Sequence, residues 1–191
     1  MAVTASQMPS LGMHAPYFAL PDTENNIVTL SDFKDAEALL VIFMCNHCPF
    51  VKHVIDKLVS LAADYQQRGI DVVAISANDV TQYPDDSHAN MKKLAREKCF
   101  TFPYLYDESQ EVAGEYHAAC TPDFFLFDDE GKLVYRGQMD DSRPGNNIPV
   151  TGSDLSMAVD AVLSHKPVSP HQKPSMGCNI KWKPGNEPDY K

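Results

Sequence analysis

The fold is decided by the stretch Ala38-Leu39-Leu40-Val41-Ile42-Phe43-Met44-Cys45-Asn46-His47-Cys48-Pro49-Phe50. Its first seven residues form an uninterrupted apolar run, which is typical of a central strand buried on both faces of a parallel sheet. Apolar residues then recur at helical spacing from Val51 to Tyr65. A strand that ends in two cysteines and turns directly into a helix predicts a redox-active dithiol, because thiols at a helix start are activated.

The chemistry of the dithiol follows from the predicted helix. If the helix begins at Asn46, Cys45 is its N-cap, where unpaired backbone N–H groups stabilise a thiolate. The pKa of Cys45 is then expected to fall from about 8.5 toward the range of roughly 3.5–7.5. The imidazolium of His47 lowers it further. Cys45 is therefore predicted to attack a disulfide, and Cys48, one turn along, to resolve the mixed disulfide.

Composition limits the partners and the compartment. The chain has 191 residues, 43% of them hydrophobic, and a net charge of −10, which excludes nucleic acid and anionic membranes as expected partners. Residues 1–16 lack the pattern of a signal peptide, and no stretch approaches the ~20 apolar residues of a membrane span. We therefore expect a cytoplasmic protein, where a Cys-x-x-Cys pair is catalytic or metal-binding rather than structural.

The chain divides into three parts by composition. Residues 1–10 are polar and are predicted to be loose, and residues 11–165 form the folded domain. The tail, residues 166–191, is rich in proline and is predicted to be extended. It contains one compact segment from Met176 to Trp182, which we expect to dock on the domain.

Several further motifs accompany the dithiol, and together they resemble a known family. The shared residues are Gly12-x-x-Ala15-Pro16-x-Phe18-x-Leu20, Val28-x-Leu30-Ser31-Asp32-Phe33, Phe43-Met44-Cys45-x-x-Cys48-Pro49, Thr121-Pro122-Asp123-Phe124-Phe125-Leu126-Phe127-Asp128, Tyr135-Arg136-Gly137-Gln138 and Gly177-Cys178-Asn179-Ile180-Lys181-Trp182-Lys183. The chain resembles the thioredoxin superfamily, in particular its alkyl-hydroperoxide-reductase/thiol-specific-antioxidant branch, the redoxins, and a peroxiredoxin-like subfamily with a Cys-x-x-Cys motif. The resemblance implies an α/β, thioredoxin-like fold: a central mixed β-sheet flanked by helices, with an N-terminal β-hairpin and an extended C-terminal tail.

The resemblance also implies how substrate binds. It makes Pro122 a cis-proline that faces the dithiol, and it gives Thr121 backbone hydrogen bonds to a bound thiol substrate. Gly137 corresponds to a small residue that lets the substrate approach. The alternative for Pro122 is a trans-proline that begins an edge strand.

Two departures from the family pattern bear on mechanism. Leu39 stands where thioredoxins carry a buried aspartate, so the resolving thiol lacks its usual proton acceptor. Val41, Cys45 and Pro122 stand where peroxiredoxins carry the proline, threonine and arginine that polarise a peroxide. Two other arginines, Arg136 and Arg143, are candidates to replace the missing one.

Three functions remain open. The first is a thiol–disulfide oxidoreductase that uses Cys45 and Cys48, needs no cofactor or metal, and acts on protein or small-molecule thiols and disulfides with a thioredoxin- or glutathione-type reductant. The second is an antioxidant thiol peroxidase, in which a peroxide oxidises one of the same cysteines to a sulfenic acid. The third is a copper(I)- or other metal-binding protein with His117 as a distant ligand; a zinc site is not expected, since it needs two further ligands.

Three cysteines lie outside the motif. Cys178 is either a third redox thiol that the tail delivers to Cys45 or Cys48, or a packing contact beside Trp182, and packing is favoured. Cys99 and Cys120 are predicted to be structural.

Overall fold

The computed structural model describes residues 3–190 and places β4, Ala38–Phe43, at the centre of a five-stranded sheet. β4 runs parallel to β5, Ile70–Ser76, and antiparallel to β8, Asp123–Asp128. The outer strands are β6, Tyr104–Tyr106, and β9, Leu133–Gly137, which gives the order β6-β5-β4-β8-β9. The predicted mixed sheet is confirmed.

Both faces of the sheet are covered, as the apolar run in β4 predicts. All six residues of β4 are buried. Leu40 and Ile42 belong to the core on one face, and Val41 and Phe43 belong to the core on the other, because successive side chains of a strand point to opposite faces. Cys45, two residues after the end of this strand, lies in the first core.

In the part of the chain that the structure describes, four α-helices flank the sheet. α1, Pro49–Gln67, and α4, Ser153–Leu163, contribute to the core that contains Leu40 and Ile42. α2, His88–Glu97, adds Met91 to the same core. α3, Glu111–Glu115, packs into the opposite core. Among residues 3–190, no helix combines the length and the apolar composition that a membrane crossing needs.

An N-terminal β-hairpin precedes the central sheet, as predicted. It consists of β2, Ala19–Pro21, and β3, Ile27–Thr29, in antiparallel pairing. The side chain of Asp22 accepts hydrogen bonds of 2.8 and 2.9 Å from the backbone N–H groups of Glu24 and Asn26, and so closes the turn.

A small second sheet joins the two ends of the chain. β10, Met176–Asn179, lies between β1, Val3–Ala5, and β7, Cys120–Thr121, and both pairings are antiparallel. The prediction of a loose segment over residues 1–10 is therefore wrong for β1, while residues 1 and 2 lie outside the described residues. The tail likewise contains a strand. Short strands held by main-chain hydrogen bonds to distant partners leave no periodic pattern in a sequence.

Candidate active site

The motif forms a loop that ends at Cys48. Cys48 is the N-cap of α1, with an extended backbone (φ −65°, ψ 122°), and Pro49 is the first helical residue. The prediction that Cys45 caps the helix is therefore wrong. A proline favours the first position of a helix and disfavours helical geometry in the residue before it, so Pro49 sets the start of α1.

One buried carboxylate holds this loop in place. Oδ1 of Asp86 accepts hydrogen bonds from the backbone N–H groups of Asn46, at 2.8 Å, and His47, at 3.1 Å. Its Oδ2 lies 2.6 Å from Nδ1 of His47 and accepts a 2.8 Å bond from the side chain of Asn78. Asp86 is 0% exposed. Sequence reasoning missed it, since the run Pro84-Asp85-Asp86 indicates only a loop before a helix.

His47 lies closer to Asp86 than to the thiols. Its Nδ1 faces Asp86, and its ring stacks on Tyr83 with centroids 5.4 Å apart. The Sγ atom of Cys45 is 3.9 Å from the same nitrogen. Because the carboxylate lies beside the imidazole, its negative charge opposes the predicted activation of Cys45 by His47.

Three buried thiols meet next to Thr121. The Sγ atom of Cys48 lies 2.8 Å from Sγ of Cys178 and 3.1 Å from the carbonyl oxygen of Thr121. Sγ of Cys45 is 3.5 Å from the Thr121 hydroxyl. Cys45, Cys48 and Cys178 are at most 2% exposed. Cys48 is thus in direct contact with Cys178, and a hydrogen bond also joins it to Cys45.

The hydrogen bonds around the thiols favour a thiolate at Cys48. A hydrogen bond from Cys45 is the main cause that lowers the pKa of Cys48, and Cys178, Thr121 and the Val51 N–H group add to it against the effect of burial. The pKa of Cys45 is raised, by its hydrogen bond to Cys48, by burial and by the charge of Asp86. This order is the reverse of the one predicted from the sequence.

The predicted substrate positions are covered by the tail of the same chain. The Thr121–Pro122 peptide bond is cis, and Cys178 lies directly opposite Thr121 in the β7–β10 pairing. At Gly137, which has φ +132°, a Cβ atom would lie 2.0 Å from the carbonyl oxygen of Lys173. The backbone edge that the family resemblance assigns to a substrate is therefore occupied by β10 and the residues before it.

The two candidate arginines are engaged elsewhere. The guanidinium of Arg136 donates 2.8 and 2.7 Å hydrogen bonds to the Pro9 carbonyl and the Gln172 side chain. That of Arg143 donates 2.6 and 2.7 Å bonds to the carbonyls of Asp140 and Ser142. These contacts do not support the predicted replacement of the peroxide-binding arginine.

Cys45, His47 and Asp86 also offer ligand atoms that lie within 4.8 Å of one another. The carboxylate oxygens of Asp86 already accept from four donors, which uses the roughly four lone-pair sites of a carboxylate. The predicted distant ligand His117 is exposed and packs on Tyr190, with ring centroids 5.0 Å apart. This donor set therefore fits a hydrogen-bond network better than a metal site.

The two remaining cysteines differ in environment. Cys120 is buried in β7, and burial raises the pKa of its thiol well above the usual value. Cys99 is exposed, in a left-handed conformation (φ +53°) after α2. Cys120 therefore packs as a small apolar residue, in keeping with its predicted structural role.

Comparison with known proteins identifies the family of this chain. The sequence profile of the AhpC/TSA family matches residues 11–136. The chain belongs to the AhpC/TSA family. An uncharacterized conserved protein from Geobacillus kaustophilus has a crystal structure with a TM-score of 0.95 and 56% identity, and the match covers 97% of this chain and 98% of that one. A hypothetical protein from Sinorhizobium meliloti gives a TM-score of 0.94 and 50% identity, over 95% and 100% of the two chains. Both matches cover so much of this AhpC/TSA protein that they extend into its C-terminal tail.

More distant relatives extend the comparison to proteins named for their chemistry. Thiol-disulfide oxidoreductase ResA of Bacillus thuringiensis is 25% identical over 124 residues, which cover 65% of this chain and 67% of ResA. Peroxidoxin BcpB of Mycobacterium tuberculosis shares the fold, with a TM-score of 0.60 and 17% identity over 81% and 96% of the chains. The predicted thioredoxin-like fold and the class of oxidoreductase are confirmed for this AhpC/TSA protein.

Proposed function

We propose that this protein is a thiol–disulfide oxidoreductase in which Cys48 is the nucleophile and Cys45 resolves the mixed disulfide. One observation carries the proposal: Cys48 caps α1 and receives a hydrogen bond from Cys45, which lowers the pKa of Cys48. A thiolate, not a thiol, attacks disulfides. The roles are thus exchanged relative to the expectation from the sequence.

The cycle uses both cysteines and no cofactor. The Cys48 thiolate attacks one sulfur of a substrate disulfide, a Cys48–substrate bond forms, and the other substrate sulfur leaves as a thiolate. Cys45 then attacks Sγ of Cys48, the Cys45–Cys48 disulfide forms, and the second substrate sulfur leaves and takes the proton of Cys45. The dithiol is oxidised and the substrate is reduced by two electrons; reversing the same steps oxidises a substrate dithiol.

The proposal extends to substrates and compartment. Disulfides and thiols of proteins or small molecules are the substrates, and a thioredoxin- or glutathione-type reductant regenerates the dithiol in the cytoplasm. The ResA relatives, named as thiol-disulfide oxidoreductases, support disulfide exchange. Peroxide reduction receives less support, since the contacts of Arg136 and Arg143 engage backbone carbonyls and a side-chain amide.

The test follows the release of thionitrobenzoate from the chromogenic disulfide dithiobis(nitrobenzoate). All proteins carry Cys99→Ser, because Cys99 is exposed and reacts independently of the site. We expect Cys45→Ser to keep the first release of thionitrobenzoate. We expect Cys48→Ser to slow it at least about 30-fold at pH 7, since an ordinary thiol is only a few per cent thiolate there.

Two outcomes contradict the proposal. If Cys45→Ser loses the first release and Cys48→Ser keeps it, Cys45 is the nucleophile, as the sequence suggests. If neither substitution slows the release, the pair does not carry disulfide exchange.

A further inference from the structure

We propose that Cys178 is a second resolving cysteine: it attacks the mixed disulfide on Cys48, forms a Cys48–Cys178 disulfide and releases the substrate thiol. This inference rests on the proposed function and adds a third thiol to it. It differs from the packing role that the sequence favours for Cys178.

The distance between the two sulfur atoms is the first support. Sγ of Cys178 lies 2.8 Å from Sγ of Cys48, less than an ångström beyond a disulfide bond of about 2.05 Å. Both side chains are buried, at 2% and 0% exposure, so the contact is shielded from solvent. Only a small movement separates this thiol pair from a bond.

The main chain around Cys178 fixes this approach. β10 is hydrogen-bonded on both edges, with Cys178 opposite Val3 on one side and Thr121 on the other. Gly177 lets the strands come this close, since a Cβ atom there would lie 2.0 Å from the carbonyl oxygen of Thr121. Ser175 adds a 2.6 Å hydrogen bond from its hydroxyl to the Gly137 carbonyl. The tail thus presents Cys178 to Cys48 as a bound substrate strand would present its own cysteine.

The protonation of the pair suits a resting state in which Cys48 attacks first and Cys178 holds its proton until the mixed disulfide has formed. Burial, followed by the hydrogen bond to Cys48, raises the pKa of Cys178, while Cys178 helps to lower the pKa of Cys48. This order of pKa values favours a thiolate at Cys48 and a protonated thiol at Cys178.

Burial of Cys48 links the chemistry to movement of the tail. A disulfide substrate reaches the fully buried Cys48 only when β10 moves aside, and the return of β10 brings Cys178 back against the mixed disulfide. Cys178 then attacks Sγ of Cys48; the Cys48–Cys178 bond forms, and the substrate sulfur leaves with the proton of Cys178. A later attack by Cys45 on Sγ of Cys48 moves the disulfide to Cys45–Cys48 and restores the Cys178 thiol, with no net change in oxidation state.

The experiment compares two variants with dithiobis(nitrobenzoate), both in the Cys99→Ser background. In Cys45→Ser we expect a first and then a second equivalent of thionitrobenzoate, and peptide mapping by mass spectrometry should find Cys48 linked to Cys178. In the double variant Cys45→Ser/Cys178→Ser we expect the first equivalent only, with the mixed disulfide left on Cys48.

The outcomes separate this inference from the proposed function. If Cys45→Ser releases the first equivalent but no second, and carries the mixed disulfide on Cys48, Cys178 does not resolve and only the inference fails. If Cys45→Ser releases no first equivalent, the proposed nucleophile fails. The mapping in Cys45→Ser needs no change at Cys178, so it decides the matter even if the double variant folds poorly.

Discussion

Two regions bring a thiol to Cys48, and they do so by different means. The motif loop, residues 45–48, is held by side-chain chemistry, since Asp86 binds two of its backbone N–H groups. The tail strand β10 is held by main-chain pairing on both edges. The loop is local in sequence and its role is visible there, whereas the strand reaches Cys48 from 130 residues away. Cys48 thus meets one thiol through a local sequence motif and another through the pairing of strands that are distant in sequence.

The largest expected effect is a loss of folding stability when the anchor of the motif loop is removed. Asp86→Ala leaves the half-buried N–H groups of Asn46 and His47 and the buried amide of Asn78 without their acceptor. Each unsatisfied group costs about 1–3 kcal/mol, so we expect urea unfolding to show a loss of about 3 kcal/mol or more. Asp85→Ala is the matched control, because Asp85 is exposed and its contact to Asn46 uses the backbone oxygen. Equal losses of stability in the two variants would contradict the role of Asp86 as the anchor of the loop.

A smaller effect is expected when the contact that holds the tail strand is disturbed. Gly177→Ala places a methyl group against the carbonyl of Thr121, and overpacking of this kind costs about 1–3 kcal/mol. In the Cys45→Ser background it should reduce the yield of the Cys48–Cys178 disulfide, measured by peptide mapping. With Cys45 present, the Cys45–Cys48 disulfide should still form. Gly114→Ala is the control, since an added Cβ there meets no atom within 4 Å; an equal reduction in that variant would contradict a specific role for the tail contact.

The smallest expected effect is a shift in the pH dependence of Cys48 alkylation, which differs in size between two variants. Because its pKa is lowered, Cys48 should be alkylated by iodoacetamide at a rate that is constant near neutral pH and falls only in acid. Removing a hydrogen-bond donor raises the pKa of Cys48, so Cys45→Ala should move the fall to higher pH. Cys178→Ala should move it less, since Cys45 is the largest cause and Cys178 a lesser one. A larger shift from Cys178→Ala would reverse the ranking of loop and tail.

Much of the frame could be predicted from local patterns. The uninterrupted run gives β4, the next apolar run gives β5 with its bounds, Ile70–Ser76, and the turn at Asp22 gives the hairpin. The start of α1 was also within reach, because Pro49 marks the first helical position. This signal favours Cys48 over Cys45 as the cap, in agreement with the structure.

Other features depend on contacts that no local pattern records. Asp86 lies about forty positions from the loop it binds, and a carboxylate in a polar run resembles any solvated one until the fold buries it. β1 and β10 are three and four residues long, too short for a periodic signal. Coverage of Thr121 and Gly137 by the tail follows only from the fold of the tail, so the sequence alone predicts that both positions are open to a substrate.

The close approach of Cys178 has a consequence that is best expressed as an effective concentration. Well-oriented groups within one molecule react as though present at about 10⁵ M or more. A solution thiol at millimolar concentration competes poorly with a sulfur that β10 holds 2.8 Å from Cys48. Mixed disulfides with small thiols should therefore be short-lived whenever the tail is closed, and the partners that persist on Cys48 are those able to keep the tail open.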